Sequence, residues 1–135
     1  MREIAYIDSI SFSESWSEKS YLEMYENKIY TFFKEEFNGK TAGFIVLMDA
    51  VDAAEIIRVA VLPEYRGMGI GTNLVEKAIK EISKKGMENI FLEVRESNSS
   101  AIKLYKKTGF EECGVRKNYY SNPKENGIIM IKRLI

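Results

Sequence analysis

The chain has 135 residues, 45% apolar and 30% charged, with 20 basic and 20 acidic side chains, one cysteine and no histidine. At that length a single domain over 1–135 is expected, able to bury roughly two-thirds of its unfolded surface. A lone Cys113 without histidine excludes an intrachain disulfide, a Cys/His zinc site and Ser-His-Asp or Cys-His catalysis, and zero net charge argues against nucleic acid as a partner.

The N-terminal segment carries charges where a signal peptide is apolar, and no run approaches ~18 apolar residues. A soluble, unprocessed, cytoplasmic protein with no membrane partner is therefore expected. The first dozen residues fit two patterns: Ile4, Ile7 and Ile10 have helical spacing, while Ile4, Tyr6, Ile10 and Phe12 share the parity of a strand. The helix is favoured.

Ser15-Trp16-Ser17-Glu18 has capping-box form and predicts a helix to about Glu26 with Tyr21, Leu22 and Tyr25 as its buried stripe. Residues 29–37 and 41–48 are rich in aromatic and β-branched types and meet at Asn38-Gly39, which predicts an antiparallel hairpin. Residues 55–62 form a third strand ended by Pro63.

Ile70, Leu74, Val75, Ala78, Ile79 and Ile82 share one helical face from Gly69 to about Lys85, and Gly86 stops that helix. Asn89 to Arg95 reads as a strand with Ile90, Leu92 and Val94 on one face and Phe91, Glu93 and Arg95 on the other. Asn98 or Ser99 caps a helix ending near Gly109, and strands over 111–118 and 127–132 close the chain. The alternation predicts an α/β (α+β) domain, a mixed and mostly antiparallel sheet of six or seven strands flanked by about four helices. Cys113, within a strand, reads as a small buried hydrophobe.

The stretch Val59-Ala60-Val61-Leu62-Pro63-Glu64-Tyr65-Arg66-Gly67-Met68-Gly69-Ile70-Gly71 leads a strand through three alternate glycines into an amphipathic helix. Backbone N–H groups bared in this way converge on an anion at the positive end of the helix dipole, and pyrophosphate suits that cradle. Thr72-Asn73 follows Gly71, so neither a Walker loop nor a dinucleotide fingerprint is present.

Arg66-Gly67-Met68-Gly69-Ile70-Gly71 resembles the Arg/Gln-x-x-Gly-x-Gly/Ala signature of the GNAT N-acetyltransferases, whose loop holds the pyrophosphate of acetyl-CoA. The segments Trp16-Ser17-Glu18, Leu92-Glu93-Val94-Arg95, Ser97-Asn98, Leu104-Tyr105, Gly109-Phe110 and Arg116-Lys117-Asn118-Tyr119-Tyr120 extend the likeness. They resemble the RimI type, ribosomal-protein alanine N-acetyltransferases.

The resemblance implies the GNAT fold and acetyl-CoA as cosubstrate, with no metal. It implies Glu93 as general base, directly or through water, and Tyr105 as general acid for the coenzyme A thiolate. Val59, Ala60 and Val61, Arg66 to Thr72 (Arg66, Gly67, Met68, Gly69, Ile70, Gly71, Thr72) and the amide of Asn98 are implied as the cofactor site. Trp16, Tyr119 and Tyr120 are implied at the groove for a protein or peptide N-terminus, a ribosomal protein among the candidates.

The chemistry is consistent with such an acceptor. An α-amine with pKa near 8 is roughly a tenth neutral at pH 7, whereas a lysine amine is neutral below about one part in a thousand. Few residues precede Trp16 for the first strand that the family normally carries; a chain beginning at the first helix would have six strands, one with that strand seven. Ser15, Ala53 and Arg58 stand where the family often has proline, glutamate and asparagine, and Glu55 shares the strand face of Ala53. The rival readings are acetylation of a lysine, polyamine or other small amine, and a non-catalytic acyl-CoA-binding module. A monomer or weak dimer is expected.

Overall fold

The structure, a computed structural model, describes residues 1–134. Helices α1 (Arg2–Ser11) and α2 (Glu18–Glu26) precede β1 (Tyr30–Phe37), β2 (Lys40–Asp49) and β3 (Ala53–Val61). A 3-10 turn at Pro63–Tyr65 leads to α3 (Ile70–Lys84), then β4 (Asn89–Arg95), α4 (Ser99–Lys107), β5 (Glu111–Tyr120) and β6 (Glu125–Arg133). The favoured helical reading of the first residues is the one observed.

The six strands form one mixed sheet in the order β1-β2-β3-β4-β6-β5, antiparallel at every junction except β3 to β4. Asn38 and Gly39 both take positive φ, 51° and 78°, as a tight hairpin turn requires. β2 is buried continuously from Ala42 to Leu47 because helices cover both faces of the sheet there.

One face packs Ile45, Leu47, Ile56, Ile90 and Leu92 against Leu74, Val75, Ala78 and Ile82 of α3 and Tyr105 of α4. The other packs Phe44, Val46 and Ala60 against Ile4 and Ile7 of α1 and Tyr21 of α2.

Three local expectations are corrected. The α2 cap is Ser17, whose hydroxyl accepts from the Ser20 N–H at 3.1 Å, so Ser15 lies in the loop before the helix. Tyr21 alone of the expected stripe is buried, since this short helix touches the sheet along one narrow line and leaves Leu22 and Tyr25 exposed. Cys113 is exposed because β5 is the outer strand of the sheet.

Two irregularities in β3 set the geometry of the sheet's centre. The strand carries one extra residue opposite β2, at Ile57, which reverses the facing of the strand beyond it. Glu55 and Arg58, three positions apart, consequently share the α1/α2 face. β3 pairs with β4 only at Ala53/Asn89, Ala54/Ile90 and Glu55/Phe91, after which no further pairs form.

Candidate active site

The end of the β3/β4 ladder opens a gap in the middle of the sheet. β3 keeps β2 on one side, so from Ile56 to Val61 the backbone N–H and C=O groups of its other edge face a cleft of about 800 Å³. Val59, Ala60 and Val61 form one wall, Glu93, Val94 and Arg95 the other, and α4 closes one end with Ala101, Leu104 and Tyr105. Because the cleft passes between strands, side chains from both faces of the sheet reach it. Glu93 and Tyr105 lie on opposite faces and line the same cavity.

The glycine loop forms the floor. Gly67 and Gly69 have φ of 80° and 82°, and a Cβ on either would meet nothing within 4 Å, so conformation and not crowding demands glycine. Gly69 is the N-cap of α3, with no side-chain capping bond and no acidic residue in the first turn. The first N–H groups of a 15-residue helix are thus left for an external anion. Gly71 has a different reason: its Cβ would lie 3.2 Å from Leu104 Cδ2, where α3 packs on α4. Arg66 Nε donates to the Val61 carbonyl at 3.1 Å and ties the loop to the strand it leaves.

Arg66, Gly67, Gly69, Ile70, Gly71, Thr72 and Asn98 line the cleft, while Met68 is half exposed and does not. Asn98 caps α4, its Oδ1 accepting from the Ala101 N–H at 3.2 Å. Tyr105 is buried edge-on to Phe110, and burial, then the neighbouring Tyr120, push its phenol above the ordinary value.

A second cavity of about 470 Å³ adjoins the first through Glu93, Arg58 and Tyr120, and adds Trp16, Glu55 and Tyr119. Both tyrosines reach it because Asn118, at φ 53°, breaks the alternation of β5 and takes a bond from its own N–H to Asn126 Oδ1. Their rings meet edge-to-face at 5.0 Å over Gly127, where a Cβ would come within 3.3 Å of each. Burial, followed by the Glu93 charge, raises the Tyr120 phenol to about 12.

Several residues here were not assigned from sequence. Arg58 Nη1 donates to the buried Asp8 carboxylate at 2.6 Å, Nη2 donates to the Glu14 carbonyl at 2.8 Å, and the guanidinium is stacked against Trp16 and Phe12. Asp8 also accepts from the Tyr21 hydroxyl and the Trp16 N–H. Arg95 straps down the loop after β5 through the Ser121 and Pro123 carbonyls and Glu125. Arg116 forms an ion pair with Glu93, Nε to Oε1 3.0 Å. The one available signal was Arg58, an arginine inside an apolar strand, but nothing local names its partner at Asp8.

A model of the acetyltransferase (GNAT) family matches residues 1–110. The chain is 37% identical over 127 residues to the [ribosomal protein bS18]-alanine N-acetyltransferase of Escherichia coli K12, covering 93% of this chain and 85% of that one. The crystal structure of the ribosomal-protein-S18-alanine N-acetyltransferase from Escherichia coli superposes with a TM-score of 0.87 at 36% identity, over 96% of this chain and 84% of that one. Arabidopsis thaliana Naa50 in complex with the bisubstrate analogue CoA-Ac-MVNAL superposes at 0.81 and 28% identity, over 95% and 88%. With the split sheet, the glycine loop at the head of α3 and a match over most of its length, the chain belongs to the GNAT family of acetyltransferases.

Proposed function

We propose that this protein transfers acetyl from acetyl-CoA directly to the N-terminal amine of a protein, an alanine-type terminus, with a ribosomal protein as the natural acceptor. The observation that carries the reading is that Glu93 and Tyr105 line one cleft whose floor is the uncapped N-terminus of α3. The relatives' substrates and the peptide in the Naa50 complex support the acceptor class.

The fit to acetyl-CoA rests on this chain's own groups. The glycine loop and α3 N–H groups receive pyrophosphate, the open edge of β3 offers donors and acceptors along an extended arm, and Asn98 stands at the mouth. When bound, acetyl-CoA supplies a thioester as the activated acyl group. An N–H on the free edge around Val59 to Val61 donates to the carbonyl oxygen and stabilises the charge that develops there. Glu93 takes the proton of the incoming ammonium. As the nitrogen bonds to the acyl carbon and the C–S bond breaks, Tyr105 gives its hydroxyl proton to the departing sulfur and is reprotonated as the nitrogen sheds its second proton in becoming an amide. The upward shift keeps Tyr105 protonated, as a donor must be. Trp16, Tyr119 and Tyr120 surround the place where the amine arrives. A ribosomal acceptor calls for a cytoplasmic enzyme, working alone or as a weak dimer. Among the described residues no helix is long and apolar enough to cross a membrane.

The test is free-thiol release from acetyl-CoA with short peptides differing only at residue one, and a polyamine control. Release with an Ala-starting peptide, abolished by blocking its amine, is expected. Preference for the polyamine would replace the proposed acceptor, and silence with intact acetyl-CoA binding would leave a binding module.

A further inference from the structure

Two carboxylates line the acceptor cavity, Glu55 from β3 and Glu93 from β4, and Arg116 on β5 reaches Glu93 from outside it. Glu55 registers with Phe91, so Glu93, two residues further along β4, presents to the same face one diagonal step away. Both carboxylates line the smaller cavity. Arg116 registers with Gly127, and with no side chain on β6 at that point its guanidinium crosses to Glu93, Nε to Oε1 3.0 Å, with Tyr119 5.3 Å from its carbon. The second oxygen of Glu93, Oε2, is buried and has no partner.

Two carboxylates in one half-buried site resist joint ionisation, and a cation bonded to one of them selects which stays charged. Burial, followed by the Glu93 charge, raises the Glu55 carboxyl, with Arg116 acting against both. The other groups facing Glu93 are engaged elsewhere: Arg58 with Asp8, Glu14 with the Ser121 hydroxyl, Arg95 with Glu125, and Tyr120 beneath Arg95.

We propose that Arg116 is a positioning residue for acetyl transfer: it fixes the ionised member of the Glu55/Glu93 pair at Glu93 and leaves Oε2 as the acceptor for the substrate's proton. The inference rests on Glu93 being the base. Arg116 binds Oε1 from the rim, so the proton leaving the ammonium nitrogen bonds to Oε2. Glu93 becomes a neutral acid and the nitrogen keeps its electron pair for the acyl carbon. Arg116 itself touches no reacting atom.

The test is the pH profile of kcat/KM for an Ala-starting peptide in the wild-type chain and in Arg116→Gln, Arg116→Lys and Arg116→Gln/Glu55→Gln. Arg116 is more than half exposed on an outer strand, so these chains should fold. In Arg116→Gln the acid limb should move to higher pH, so that the loss is largest on the limb and closes on the plateau above it. The lysine variant should restore most of the limb, and removing Glu55 should restore it without any cation. An unmoved limb, or an equal loss at every pH, overturns the proposal. Glu93→Gln separates the two readings: if it turns over at the wild-type rate, the base assignment falls and this inference with it. If it is inactive while the Arg116→Gln limb stays in place, only this inference falls.

Discussion

The Arg58 guanidinium lies 3.6 Å from the centre of the Trp16 ring while its Nη1 holds the buried Asp8 carboxylate at 2.6 Å. One side chain thus joins β3, α1 and the loop before α2. Removing one partner of a buried pair strands the other charge, so Asp8→Ala and Arg58→Ala should each lower stability by about 3 kcal/mol in urea melts. The double variant should lose clearly less than the sum, since the two changes delete one interaction. Additive losses would mean that the contact does not couple them. With the loop released, KM for the peptide should rise more than KM for acetyl-CoA.

Gly69→Ala keeps a left-handed residue at the head of α3, at a cost of about 1 kcal/mol, and its Cβ meets no protein atom. The methyl group instead occupies open space at the N-terminus of α3. A near-native urea midpoint with at least a tenfold weaker acetyl-CoA titration is expected. Equal affinity would move the pyrophosphate site away from this loop.

Tyr105→Phe should lower kcat about a hundredfold, within the range of a lost general acid. Because burial, and then Tyr120, hold the Tyr105 phenol above its usual value, it stays protonated across the assay range. The wild-type rate should accordingly show no alkaline decline from this group up to about pH 10. A Phe variant with full kcat would assign the proton to another donor.

Glu55 gives a signed prediction for stability. Its folded carboxyl is raised above 4.5, first by burial and then by Glu93, so the folded state binds more protons than the unfolded chain once pH exceeds that value. Ionisation then counts against folding. Glu55→Gln should gain in Tm over the wild type as pH rises from 4 to 7 and show little difference at pH 4. A constant difference across that range would contradict the shift.

Gly127→Ala tests the tyrosine pair. A Cβ there comes within 3.3 Å of both rings, so the rings must move. KM for the peptide should rise several-fold with acetyl-CoA affinity unchanged. Unaltered peptide kinetics would separate these rings from the acceptor.

How much the sequence disclosed depends on how local each determinant is. Asn38-Gly39, Gly86 and the β4 alternation act over a few residues, and the elements they predict are present nearly residue for residue. The glycine loop was legible for the same reason. The capping serine was misplaced because Ser15 and Ser17 both fit a cap by type, and the geometry of the chain entering α2 selects Ser17. The exposed Leu22 and Tyr25 depend on how narrowly α2 meets the sheet. The pairs Asp8 with Arg58 and Glu93 with Arg116 span long stretches of chain, and two backbone irregularities, at Ile57 and Asn118, reverse side-chain parity where a strand pattern assumes it constant.

The brevity of the β3/β4 ladder also governs how the molecule yields. Three residue pairs join the two halves of the sheet, while within each half the strands are paired along most of their length. Opening that seam is a cheaper fluctuation than melting either half. A ligand that bonds to both lips closes it and adds about 2.7 kcal/mol at a hundred times its dissociation constant. Resistance to proteolysis should therefore track the supply of acyl donor, so that a cell short of it would clear this protein faster than one replete.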